Sequence, residues 1–102
     1  MKINKGTLFK KYLMKELQDR EILCYFISEA IAADDPDYFK IAIGDIIKAC
    51  GVGDIAKKTG ISRQTIYKMF SKSGNPTHKN LVSILDAFGL KLTVEAKKGK
   101  VA

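Results

Sequence analysis

The sequence predicts an all-α fold: a compact bundle of about five to six helices containing a helix-turn-helix, with a short C-terminal β-strand. Three observations predict it. Apolar residues recur at helical spacing through most of the chain. Residues 52–71, VGDIAKKTGISRQTIYKMFS, carry a small residue, a bend glycine and a helix cap in the order that two steeply crossing helices need. Residues 90–96, LKLTVEA, alternate apolar and polar with a period of two. A length of 102 residues fits a single domain with a real core. It divides into an N-terminal helical extension (1–35), a core holding the helix-turn-helix (36–89), the strand (90–96) and a basic tail (97–102).

After a loose start, Thr7 can cap a helix over residues 7–17, with Leu8, Tyr12 and Leu13 inward. Asp19 caps the next, over 20–33. Its Ile22, Leu23, Phe26, Ile27, Ala30 and Ile31 form a wide stripe, widened further by Cys24 and Tyr25. Such a helix is either deeply buried or shared with a partner. Asp34-Asp35-Pro36 breaks the chain, and Asp35 caps a third helix with Pro36 at its first position. That helix carries Phe39, Ile43, Ile46 and Ile47 inward and stops near Gly51, and Gly44 within it suggests a close approach by another helix.

In the segment that follows, Ile55 and Ala56 begin the buried side of the first short helix. Thr59 stands where an apolar residue is more usual and can end that helix. Gly60 supplies the positive φ at the bend, Ile61 plugs the corner, and Ser62 caps the second short helix. Ile66 and Met69 turn one face of that helix inward, while Arg63, Gln64, Tyr67 and Lys68 share the other. Residues 73–76, SGNP, form a turn-rich loop. A helix opening at Thr77 runs to about Phe88, buries Leu81, Ile84, Leu85 and Phe88, and ends at Gly89. The strand at 90–96 has no second strand in the sequence to pair with. It needs another chain, either a second copy or a different protein; the alternative is a frayed tail.

The net charge of +7 is unevenly placed. Residues 1–35 hold six Lys/Arg and six Asp/Glu, whereas residues 36–102 hold twelve and five. The whole excess lies with the helix-turn-helix, the footprint of a phosphate-binding surface. A recognition helix in the major groove turns its first turn toward base edges. Arg63 can make two hydrogen bonds to a guanine and Gln64 two to an adenine. Lys68 lies one turn further on the same face, within reach of a base or a phosphate. Tyr67 can lie on a sugar, a thymine methyl or a phosphate, or pack on the neighbouring helix. Ser62, Thr65, Lys72, Asn75, Thr77 and Lys79, at helix starts and loop ends, are phosphate candidates. One short helix reads few base pairs, so a homodimer on a palindrome is expected, with half-sites roughly 34 Å apart.

Other functions find little support. The acids of the basic half, Asp37, Asp45, Asp54, Asp86 and Glu95, are scattered, and no pair shares a face near His78. No catalytic residue, metal site or cofactor is therefore expected. Cys24 and Cys50 are expected as buried thiols and not as a disulfide. The longest apolar run, residues 22–27, is far too short to cross a bilayer, and no secretion signal is evident; a cytoplasmic protein with no membrane partner is expected.

Residues 53–92, GDIAKKTGISRQTIYKMFSKSGNPTHKNLVSILDAFGLKL, resemble the HigA-like addiction module antidote proteins, antitoxins of the Cro/C1-type (XRE), lambda-repressor-like helix-turn-helix superfamily. Gly44-Asp45-Ile46, the Gly74-Asn75-Pro76 loop and the Ala87–Leu92 ending carry the resemblance along with the motif itself; it covers roughly residues 12–94. The resemblance implies a small DNA-binding antitoxin. It would neutralise a RelE/HigB-like toxin and repress the shared operon by binding double-stranded operator DNA. By analogy, Ser62, Arg63, Gln64, Thr65 and Lys68 fall at DNA-facing positions, and Asn75 and Thr77 near the backbone. Gly53, where a capping Ser is more usual but where a glycine can still serve as the N-cap, Lys72 and His78 depart from the pattern. The alternative is a solitary phage-type repressor, with the same DNA chemistry and no toxin.

Overall fold

The computed structural model describes residues 20–99, and within them five helices follow one another: α1 (Arg20–Ala32), α2 (Pro36–Cys50), α3 (Val52–Thr59), α4 (Arg63–Met69) and α5 (His78–Ala87). The helix expected at 7–17 and the cap at Asp19 lie outside the described residues. The helix starts that the sequence marks at Asp35, Ser62 and Thr77 are each made by a side chain in an extended backbone conformation. Asp35 Oδ1 accepts the Asp37 and Tyr38 N–H groups at 3.0 and 3.3 Å. Ser62 Oγ accepts the Thr65 N–H at 3.1 Å, and Thr77 Oγ1 accepts the Asn80 N–H at 3.1 Å. Each satisfies a donor that a helix leaves without an internal partner.

All five helices feed one core. Leu23, Ile27 and Ala30 come from α1, Ile43, Ile46 and Ile47 from α2, and Val52 and Ile55 from α3. Ile66 and Met69 come from α4, and Ile84 and Leu85 from α5. α1 packs on α2, α2 on α3, and α3 on both α4 and α5, so the eight-residue α3 is the hub. The apolar stripe of α1 is split. One side enters the core, while Cys24 is exposed, Tyr25 is 61% exposed and Ile31 41%. The side expected to widen the buried face therefore faces outward. The thiols expected to be buried also differ: Cys24 is open and Cys50 is half-buried, its pKa pushed up by burial against an opposing pull from Lys58.

Two other expectations change. Gly53 is not a helix cap; Gly51 is, with φ 98°, and Gly53 sits inside the first turn of α3. A close approach at Gly44 is ordinary, since a Cβ there would stand 3.6 Å from Phe70 Cβ.

The strand expected at 90–96 does not form within the single chain. The α5 terminus closes as foreseen, with Gly89 at φ 77° and the Leu90 N–H donating to Leu85 O at 2.9 Å. Beyond it, residues 91–97 have no regular secondary structure, and among the described residues no backbone hydrogen bond joins them to another segment. The reason is the one visible in the sequence. A strand is defined by its ladder, and no second strand exists among the described residues to supply one.

Candidate nucleic-acid interface

The geometry between α3 and α4 is set by three consecutive residues. Gly60 adopts the left-handed conformation, φ 75° and ψ 6°, and its N–H closes α3 on Ala56 O. Thr59 secures the same corner from both sides. Its Oγ1 donates to Ile55 O at 2.7 Å and accepts the Ile61 N–H at 3.1 Å. The residue that departs from apolar expectation thus ends α3 and braces the turn. Ile61 packs against the core, and Ser62 caps α4. Ser62 Oγ also donates to Thr65 Oγ1 at 2.8 Å, which ties the first turn of α4 together.

Seated on Ile66 and Met69, 1% and 5% exposed, α4 turns the rest of its surface outward. All ten residues nominated from the sequence are exposed: Ser62, Arg63, Gln64, Thr65, Tyr67, Lys68, Lys72, Asn75, Thr77 and Lys79. Six of them lie on α4 or its cap, two on the following loop and two at the start of α5. Arg63 and Gln64 occupy the first turn, with Tyr67 and Lys68 one turn on. Tyr67 is 52% exposed, and its other half lines a groove against Ile41 and Gly44 of α2. The reading in which this residue packs on a neighbouring helix is therefore met in part. The Arg63 guanidinium lies over the first turn of α3, where a Cβ on Gly53 would stand 2.6 Å from its Nη2. A serine at that position would displace the arginine, which gives the departure at Gly53 a steric meaning.

Sequence reasoning missed Lys40. This lysine is only 6% exposed, and it reaches from α2 to the loop after α4. Its Nζ donates to Lys72 O at 2.6 Å and to Gly74 O at 3.1 Å. The Asp37 carboxylate, 3.9 Å away, is mostly exposed and adds little. The missed signal was spacing: position 40 falls on the stripe of Ile43 and Ile47, where a lysine must find acceptors or leave the core. At Gly74 any Cβ would collide with the Lys68 carbonyl, so the loop passes hard against the end of α4. Lys40 and Gly74 together fix the path that carries Lys72, Asn75 and Thr77. Lys40→Met is expected to lower stability by about 1–3 kcal/mol through the two abandoned carbonyls. A urea midpoint that falls with an unchanged slope is the measurement; an unchanged midpoint contradicts the bonding described.

Among the described residues, no group of three or more His, Cys, Asp or Glu is placed to hold a metal ion, and no helix is long and apolar enough to cross a membrane.

Comparison with known proteins adds a family. The family model described as "Probable addiction module antidote protein" matches residues 8–96. A Haemophilus influenzae protein, itself described only as uncharacterized, is 30% identical over 84 residues, which are 82% of this chain and 87% of the relative. No solved structure matches the chain. With nearly its whole length covered by that one model, the chain belongs to the family of addiction module antidote proteins.

Proposed function

We propose that this protein is a sequence-specific DNA-binding antitoxin of a type II toxin–antitoxin system, which neutralises a RelE/HigB-like toxin in the cytoplasm and represses its own operon. The observation that carries the DNA half is the polarity of α4. Ile66 and Met69 are buried, while Arg63, Gln64, Tyr67 and Lys68 are all exposed, with a Ser62 cap at the start. In this reading α3 and α4 form a helix-turn-helix, α4 enters the major groove, and Arg63 and Gln64 address base edges. Lys72, Asn75, Thr77 and Lys79 lie along the phosphates, the last two where α5 begins and its free N–H groups favour an anion. The net charge of +7, all of it in residues 36–102, supplies the sequence-independent attraction. Family membership supports the antitoxin half, since an antidote presupposes a toxin.

The test is a gel shift on the DNA just upstream of the gene, run with and without the product of the adjacent reading frame. A retarded band, altered by that product, is expected. No retardation on any upstream fragment refutes the DNA half. Retardation without a neighbouring toxin gene favours the solitary repressor. Within this reading, Lys79→Ala is expected to weaken binding to all sequences alike and to reduce the salt slope by about one. Affinity measured at several salt concentrations on operator and unrelated DNA checks it.

A further inference from the structure

Residues 91–96 follow α5 without regular secondary structure and, among the described residues, without a backbone hydrogen bond to another segment. Leu90 is partly covered, Leu92 is 39% exposed, and Val94 is fully exposed. A β-branched residue without cover, in a segment whose backbone beyond Leu90 has no hydrogen-bonded partner among the described residues, is what an edge strand looks like before pairing. The order of residues names the partner. Folded against itself antiparallel about Thr93, the segment sets Lys91 opposite Glu95, Leu92 opposite Val94, and Leu90 opposite Ala96. Thr93 meets its own copy on the axis. Every apolar residue then faces an apolar one, and both charge pairs are attractive.

Neighbouring registers lose this match. Centring on Val94 sets Lys91 against Lys97 and Leu90 against Lys98, and centring on Leu92 leaves Glu95 opposite Gly89. A parallel, in-register pair stacks like charges. Two-fold symmetry with self-complementary contacts is also the commonest way in which a soluble chain closes on itself.

We infer that residues 90–96 pair antiparallel with the same residues of a second copy, on a two-fold axis at Thr93. The joined ribbon gives Val94 a cover, Leu92 of the second copy. It also adds a second copy beside the groove that Leu90 and Leu92 form with Ile27, Ile31 and Leu85. Such a dimer presents two copies of α4. That consequence for operator binding rests on the function proposed above, whereas the pairing itself does not.

Sedimentation equilibrium of the full chain without DNA is expected to give a dimer. Lys91→Glu and Glu95→Lys each replace two attractive pairs by two repulsive ones, and each is expected to raise the dimer Kd about tenfold. The double variant, Lys91→Glu with Glu95→Lys, is expected to restore it. Val94→Asp is expected to keep the helical circular dichroism spectrum yet sediment as a monomer, because the single chain leaves that position uncovered. A chain that is monomeric throughout, a dimer indifferent to these changes, or a charge swap that fails to rescue overturns the pairing. If a monomeric chain instead binds the adjacent gene product through Val94, the pairing is overturned and the edge passes to the toxin. Half-site gel shifts on the same variants separate the two readings. Self-association that persists while DNA binding is absent overturns the proposed function alone, and DNA binding without self-association overturns the pairing alone.

Discussion

Arg63→Ala is expected to cut operator affinity about 10- to 100-fold and to relax sequence preference at a single base pair, with little effect on stability. Arg63 opens α4, is exposed, and has no acidic partner among the described residues, so its removal leaves no buried group stranded. Its guanidinium rests over the first turn of α3 beside Gly53. A planar fork matches the two acceptors on a guanine edge, and the discrimination such a pair gives is roughly 1–3 kcal/mol. The contrast with Lys79→Ala is the informative part. A base contact changes which sequence is preferred; a phosphate contact changes only how tightly all sequences are held. Titrations against a set of operators substituted one base pair at a time distinguish them. Unchanged affinity and unchanged preference after Arg63→Ala show that α4 does not lie in the groove as proposed.

The second large effect is on the fold beneath that surface. Ile66→Ala is expected to destabilise the protein by about 2–5 kcal/mol, through lost burial and the cavity left behind. Ile66 is 1% exposed and, with Met69, is what seats α4 on the core. A helix of seven residues is too short to persist alone, so its order comes from that face. Against a typical total of about 5–15 kcal/mol, the loss shifts a sizeable share of the stability of the chain. Operator binding is expected to fall with it, uniformly over sequences, since the side chains proposed to contact bases are untouched. Urea denaturation followed by circular dichroism gives the first number, and DNA titration well below the unfolding midpoint gives the second. A midpoint that barely moves contradicts the burial of Ile66.

Much of this architecture was legible because the deciding interactions are local. Asp35 before Pro36, Ser62 before a polar turn, Thr77 before a Leu-rich run and Gly60 at the bend each act within a few residues, and each takes the role its type suggests. The exposure of all ten nominated side chains follows from the 3.6-residue period and from loop chemistry for the same reason. Lys40 was not legible as a brace, because its acceptors lie 32 and 34 residues away. Gly53 was misread as a cap, because Gly51, with its positive φ, takes that place and α3 already starts at Val52.

Sequence alone therefore determined where α2, α4 and α5 begin, which face of α4 is buried, and that residues 90–96 alternate without a strand to pair with. Those properties depend on near-neighbour hydrogen bonds, backbone φ and side-chain periodicity. Only the tertiary structure decided that α1 gives one side to the core and leaves Tyr25 and Ile31 outside, and that α3 is the hub. It also decided that a buried lysine fixes the loop after α4. These outcomes depend on which distant segments meet, and burial is a property of the meeting rather than of either segment.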